Sequence, residues 1–367
     1  MLSETPPTEK HPASLSAGNT FVRLAGIGLL LLGVVGAFLY LGGWFSPHNK
    51  LTPARFVDEF ERVNGIRSGF RRNHAKGVGV RGFFDSNGQG ARLSKAVVFQ
   101  SGRVPVIGRF SLGSGDPHAT DDLSTVRGLG LQFSLPDGEQ WRTAMIDLPV
   151  FPLKDPQAFY DNLVASQPDP NTHQPDPAKG AAFLASHPET VRAIAIIKSH
   201  APSSGFDNTA YYGLNAFQFV NASGASAYVR WTLAPVQPYE AGTAASPEND
   251  KNFLFDGLIA SIHQHPLQWH LVLTVAQSGD PTDDATIPWP EGREQVDVGT
   301  LTLDSVESEE TSPARDINFD PLVLPAGIAP SDDPLLSARS AVYSQSFTRR
   351  AGETKEPSEI TPSEVRK

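Results

Sequence analysis

The chain contains no cysteine. That absence removes disulfides, thiolate metal sites, iron–sulfur clusters and thiolate-ligated haem together. It leaves the compartment open, because cysteine-free proteins occur on both sides of a membrane. Positive charge is in the minority: 30 Lys and Arg stand against 40 Asp and Glu, a net charge of −10. Binding duplex phosphates needs a basic surface, so no nucleic-acid partner is expected. Charged residues make up only 19% and hydrophobic ones 39% of the 367 residues, enough for one large core or two medium ones. What the chain does have is glycine (32) and proline (31). Both favour a strand- and loop-rich fold over a helical bundle.

Residues 1–23 are polar, with prolines and serines, and are expected to be disordered. Residues 24–45 then run almost without a polar side chain, through Leu29-Leu30-Leu31-Leu32 and Gly33-Val34-Val35-Gly36, and contain no charge. About 20 such residues span a bilayer as a helix. Tyr40, Trp44 and Phe45 suit an interfacial aromatic belt. A cleaved signal peptide has a shorter apolar region and a small-residue cleavage site. Here the run ends Gly42-Gly43-Trp44-Phe45-Ser46-Pro47, so an uncleaved single-pass transmembrane helix over 24–45 is the expectation. Lys10 and Arg23 precede it and Lys50 and Arg55 follow it, so flanking charge does not set the orientation. A signal anchor with an exported, periplasmic domain is the reading adopted.

Thr52-Pro53 opens a helix with an N-cap and a proline at the first position, and Phe56, Val57, Phe60 and Val63 give it an apolar stripe. Strand patterns follow at 78–84, 104–111, 128–135 and 141–147, separated by turns such as Ser86-Asn87-Gly88 and Pro136-Asp137-Gly138. Helical patterns occupy 157–166 and 190–198. Strands return at 216–221, 225–233, 269–276 and 296–303. Two groups of four alternating strands point to an α+β fold: a closed antiparallel eight-stranded β-barrel with surrounding helices, over 46–350. The charged tail, 351–367, is expected to be disordered.

Two short elements carry candidate chemistry. Ser331-Asp332-Asp333-Pro334 starts a helix on which Leu336, Arg339, Tyr343 and Phe347 share a face. A guanidinium one turn before a phenol favours the phenolate, a metal ligand. Arg71-Arg72-Asn73-His74-Ala75-Lys76-Gly77 places a histidine just before the first strand. An imidazole has the right basicity for proton transfer near neutral pH. Taken singly, each is ordinary: Arg-x-x-x-Tyr is usually a packed helix face and a lone histidine a satisfied core or surface residue. His263-Gln264-His265 has two imidazoles but no partner carboxylate nearby, and reads as a surface helix end.

Taken in order over residues 52–350, the chain resembles the catalase superfamily, most of all its short haem-peroxidase branch. Arg71-x-x-His74-Ala75-Lys76-Gly77 is similar to the distal-histidine motif, and Gly108-Arg109-Phe110-Ser111 to the segment with a propionate-binding Arg and a Ser that orients the histidine. Pro149-Val150-Phe151, Asp155-Pro156 and Phe159 resemble the distal wall. Phe217-x-Phe219-Val220-Asn221, Tyr228-Val229-Arg230, Trp289-Pro290 and Val298-Gly299-x-Leu301 resemble central elements. Phe319-Asp320-Pro321 through Gly327, then Arg339-x-x-x-Tyr343 and Arg350, resemble the proximal ligand region.

The resemblance implies a haem b cofactor with Tyr343 as axial phenolate and Arg339 holding it ionised; tyrosine is the ligand known for catalases. It implies that Arg71, Arg109 and Arg350 pair with the propionates, and that Phe151 and Phe159 wall the distal side. His74, fixed by Ser111, would take a proton from peroxide and return it to the departing oxygen. The implied activity is a peroxidase reducing hydrogen peroxide or organic hydroperoxides with electrons from a small-molecule donor. Alternatives are a low-turnover catalase, a hydroperoxide-rearranging lyase, and a non-catalytic haem or lipid carrier on the same barrel. Two departures stand out. Ile146 occupies the place of the distal Asn of full catalases, and Asn215 that of a family histidine. The helical domain that follows in full-length catalases has no counterpart, so a tetramer is not implied.

Overall fold

The computed structural model describes residues 17–41, 50–242 and 250–366. It divides into two units, Met1–Thr52 and Pro53–Lys367. In the first, α1 (Ala17–Leu41) carries a stretch, Phe21–Leu39, long and apolar enough to cross a membrane. Its length and composition suit either an anchor or a signal sequence. The helix starts at Ala17 rather than Leu24, so 17–23 are helical where disorder was expected. Extending a helix already nucleated in an apolar run costs little per residue. Residues 1–16, expected to be disordered, and the belt residues Trp44 and Phe45 lie outside the described residues.

The second unit begins with α2 (Pro53–Asn64), which buries Phe56, Val57 and Phe60 as the stripe requires. The strands are β1 (Gly77–Ser86), β2 (Gly102–Leu112), β3 (Arg127–Ser134), β4 (Gln140–Ile146), β5 (Tyr211–Tyr212), β6 (Phe217–Val220), β7 (Ser226–Pro235), β8 (Leu267–Val275), β9 (Gln295–Ser308) and β10 (Ile328–Pro330). Between β4 and β5 lie α3 (Pro156–Ala165), α4 (Pro177–Ser186) and α5 (Pro188–Lys198). Between β7 and β8 lies α6 (Phe253–Gln264), and α7 (Pro334–Ala351) follows β10. Every pairing is antiparallel, and the order β1-β2-β3-β4-β5-β7-β8-β9 returns to β1. The barrel is therefore closed by eight strands.

All eight strand patterns read from sequence form strands, but one is not in the ring. The expected strand at 216–221 becomes β6, which lies along β7 and carries β10 on its other side. Its place next to β4 is taken by β5, which is too short to show a pattern.

Side-chain alternation gives strands β1–β4 two different faces. One face carries Val78, Val80, Phe110, Leu129, Leu131, Phe133, Trp141 and Met145 into the hydrophobic core. Aromatic rings meet there: Phe133 stacks on Trp141 at 4.7 Å, and Trp141 meets Trp231 edge-on at 5.2 Å. The tail was expected to fray, but Ile360 and Val365 are buried in this core cluster. Ser308 Oγ donates to the Ile360 carbonyl at 2.7 Å. Polar contacts add to this: Arg315 Nη2 donates to the Glu356 carbonyl at 2.8 Å, and Lys251 pairs with Glu359 at 2.7 Å.

Candidate active site

The opposite face of β1–β4 is almost bare. The register aligns Gly77, Ser111, Gly128 and Ile146 in one row, and Gly79, Arg109, Gly130 and Ala144 in the next. Five of these eight positions are glycine or alanine. They leave a strip without bulky side chains, from which Ser111, Arg109 and Ile146 project. Gly77 has to be glycine, because a Cβ there would lie 2.6 Å from Arg109 Cζ. A Cβ at Gly128 would stand 3.0 Å from the His74 ring.

The β2–β4 part of this strip (Arg109, Ser111, Gly128, Gly130, Ala144 and Ile146) floors a cavity of about 480 Å³. Its other walls come from α2 (Phe56, Phe60), α3 (Phe159), the loop carrying Phe151, and one face of α7. On α7 the lining positions Leu335, Arg339, Tyr343, Phe347 and Arg350 recur every three or four residues, as one side of a helix must. All nine site residues expected from sequence line this one cavity: His74, Ser111, Arg71, Arg109, Phe151, Phe159, Arg339, Arg350 and Tyr343.

His74 sits at φ 55, a left-handed conformation rare for a non-glycine residue. Its neighbour holds it there: the Ala75 N–H donates to the Ser114 carbonyl at 2.8 Å. The imidazole Nδ1 lies 3.1 Å from Ser111 Oγ. Burial, followed by the charges of Arg109, Arg71 and Arg339, pushes its pKa down to about 3. The imidazole is therefore neutral across the physiological range, with one ring nitrogen's lone pair unprotonated. Lys76, two residues on, has a structural role. Its Nζ donates to Asp121 Oδ1 at 2.6 Å in a buried pair. Asp121 Oδ2 accepts the Leu254 N–H at 2.9 Å, at the start of α6. The histidine loop is thus pinned to a helix N-terminus.

On α7, Asp333 caps the helix by accepting the Leu335 N–H at 2.9 Å. Asn215 Nδ2 donates to Asp333 Oδ2 at 2.7 Å, and Arg339 Nη1 donates to Asn215 Oδ1 at 2.6 Å. Arg339 Nη2 donates to the Ala144 carbonyl at 3.0 Å and stands 3.5 Å from Tyr343 Oη, the outer limit of a hydrogen bond. The guanidinium is thereby aimed at the phenol.

Three more arginines gather at one end of the cavity. Arg109 clamps Glu309 through Nε (2.6 Å) and Nη2 (2.9 Å). Arg71 donates Nη1 to Glu309 at 3.2 Å and Nη2 to the carbonyls of Ala314 and Ile317. Arg350 donates Nη1 to the Arg315 carbonyl at 2.7 Å. Burial, then Arg109 and Arg350, lowers the pKa of Arg71 well below its usual range. Burial, then Arg109, brings that of Arg350 down to about 10. Positive charge is in excess here, and a buried anion would relieve it.

The wall made by α2, α3 and the Phe151 loop holds together through aromatic edges. Phe159 meets Phe151 at 5.7 Å, Phe56 at 5.3 Å and Phe60 at 5.8 Å. Asp155 caps α3 by accepting the Ala158 N–H at 2.9 Å, with Pro156 at the first position. Ile146 lines the cavity. Asp147 points elsewhere, accepting the Arg127 N–H at 3.0 Å, and burial raises its pKa. His263 and His265 are exposed at the end of α6.

Sequence reading missed four contributors: Glu309, Asn215 as a bridge, the Lys76–Asp121 pair and the glycine floor. Only the floor left a usable signal, the Gly128-Leu129-Gly130 alternation in a strand. Ser308-Glu309-Glu310 offers two adjacent carboxylates with nothing to select the buried one.

A family model described as Catalase matches residues 49–360. A catalase-related peroxidase of Synechococcus elongatus is 39% identical over 301 residues, covering 82% of this chain and 89% of its own. One from Mycolicibacterium paratuberculosis is 33% identical over 305 residues, covering 82% and 96%. The catalase of Rattus norvegicus is 28% identical, and this chain spans 59% of its length. Among solved structures, a bacterial catalase superposes with a TM-score of 0.69 at 21% identity, over 84% of this chain and 63% of its own.

Proposed function

The chain belongs to the catalase family, and from that premise we propose that it is a haem-dependent peroxidase. It is an oxidoreductase acting on peroxide. The proposed substrates are hydrogen peroxide or an organic hydroperoxide, with electrons from a small-molecule donor.

The cavity fits haem b in three respects. Its floor is a side-chain-poor strip against which a flat group can lie. Its arginine cluster carries unneutralised positive charge for two carboxylates. A phenol stands beside a guanidinium on α7. In this reading Tyr343 would hold the iron through its phenolate, which Arg339 would favour, and Arg71, Arg109 and Arg350 would receive the propionates. When bound, the haem iron supplies the redox chemistry that splits the peroxide bond.

The chain's own residues supply proton transfer and exclusion of water. With hydrogen on Nδ1 donated to Ser111 Oγ, His74 presents the lone pair of Nε2 to the cavity. That nitrogen takes the peroxide proton and returns it to the departing oxygen, which leaves as water from hydrogen peroxide or as an alcohol from an organic hydroperoxide. Phe151 and Phe159 keep bulk water from the transfer, so the fixed charges act at low dielectric. The helix Ala17–Leu41 would serve as a single-pass anchor, with the barrel exported.

The observation that carries this reading is the neutral, Ser111-bound His74 in the same cavity as Arg339 and Tyr343. A carrier needs no such base. Ile146 supports peroxidase over catalase, since its side chain cannot hydrogen-bond a second peroxide. The test is oxygen release against donor oxidation by the haem-loaded chain. Donor oxidation should dominate, and brisk donor-free oxygen release would overturn the peroxidase reading.

A further inference from the structure

Glu309 is a buried carboxylate that the proposed chemistry does not use. It lies between two of the arginines assigned to the cofactor, at the end of β9, and is held on both sides. Arg109 grips it in a two-pronged pair, and Arg71 reaches the same Oε1. We propose that Glu309 is a positioning residue: it fixes the edges that Arg109 and Arg71 present to the cavity, and sets the charge of the cluster to match a ligand with two carboxylates. This rests on the haem reading above.

The geometry supports the first half. Arg109 uses Nε and Nη2 on Glu309, and Nη2 also donates to the Ala75 carbonyl at 3.0 Å. Arg71 uses Nη1 on Glu309 and Nη2 on two carbonyls. Among the described residues, Arg109 Nη1 and Arg71 Nε have no hydrogen-bond partner, and both side chains line the cavity. Each guanidinium is therefore anchored along one edge and offers another. A planar donor set held this way loses little freedom when it meets a carboxylate.

Charge supports the second half. Arg71, Arg109 and Arg350 are three neighbouring cations: after burial, Arg109 and Arg350 lower the pKa of Arg71, and Arg109 that of Arg350. Glu309 cancels one of them. Burial alone would raise its pKa, but the pull of Arg109 and then Arg71 outweighs burial and keeps it ionised. Asp316, more exposed, pairs with Lys355 Nζ at 2.5 Å and lies 3.8 Å from Arg350 Nη1. Among Arg71, Arg109, Arg350 and Glu309, three guanidiniums against one carboxylate leave two positive charges, the number two propionates neutralise. Without Glu309, Arg109 and Arg71 would lose the carboxylate that lies between them, and Arg109 the partner that orients it.

The test compares iron protoporphyrin IX with its dimethyl ester, in which both carboxylates are capped. The full-length chain and its Glu309→Gln variant are loaded with each, and release to excess apomyoglobin is timed by absorbance. The wild-type chain should hold haem more tightly than the ester. If it does not, the arginines do not receive carboxylates and the haem assignment of this cluster fails. In Glu309→Gln, haem release should quicken by about tenfold or more, the loss expected for a misdirected charge-assisted pair. Release of the ester should stay unchanged. Equal acceleration of both groups, as from a general loosening of the fold, or acceleration of neither, overturns the positioning role. Glu309→Asp keeps the charge but shortens the reach. It should give an intermediate haem-to-ester ratio, and the full wild-type ratio there would also contradict the proposal.

Discussion

Asn215 accepts a 2.6 Å hydrogen bond from Arg339. The same amide donates to Asp333, so one side chain joins the cap of α7 to the guanidinium beside Tyr343. The family resemblance places a histidine at this position. An amide does the bridging without a titratable group.

Replacing that amide should be felt in the fold as well as in the pocket. Asn215→Leu would leave buried Asp333 and Arg339 each short of a partner. We expect a loss of about 1–3 kcal/mol in stability, the range for an orphaned buried polar group. Urea unfolding of the purified chain measures it. An unchanged midpoint would show that the bridge contributes nothing.

His74 links stability to pH with a definite sign. Its folded pKa is about 3, against about 6.5 in an unfolded chain. Between those values the unfolded chain binds a proton that the folded chain refuses. Stability is therefore lost as pH falls through this window, by up to about 1.4 kcal/mol per pH unit. His74→Gln should flatten the dependence of melting temperature on pH between pH 4 and 6. A slope equal to wild type would mean that His74 is not buried neutral. His74→Ala should lower peroxide turnover by about 10²–10⁴-fold while haem content stays constant.

Ile146→Asn tests what limits the second half of a catalase cycle. Its side chain faces the cavity, whereas Asp147 is turned to Arg127. The variant should raise oxygen release relative to donor oxidation. Asp147→Asn should leave that ratio unchanged. A rise with Asp147→Asn instead would place the wrong residue in the pocket.

The barrel and the site differed in how much the sequence disclosed. Strands alternate apolar and polar residues, so seven of the ring's eight members were legible, and β5 was not because two residues carry no period. His74, Ser111 and Tyr343 were legible because each lies in a motif with ordered neighbours. Glu309 was hidden, because its meaning depends on Arg109, 200 positions away. The tail misled because its composition is charged, while Ile360 and Val365 enter the core and its carboxylates find partners such as Lys251.

The Lys76–Asp121 pair holds the histidine loop against α6, and both side chains are essentially inaccessible. Lys76→Met should destabilise the chain by about 3–5 kcal/mol, because it strands a buried carboxylate. Burial already raises the pKa of Asp121, so the stranded group should take up a proton more readily. The Lys76→Met/Asp121→Leu double variant should recover most of the loss. If the double variant is no more stable than the single, the cost lies in packing instead of charge.

The most direct test of a tyrosinate-ligated haem in this cavity is the visible absorption spectrum of the haem-loaded full chain and of Tyr343→Phe. Wild type should show a phenolate-to-iron charge-transfer band, and Tyr343→Phe should lose it. An identical spectrum from the two proteins would remove Tyr343 as the ligand and contradict the account of this site.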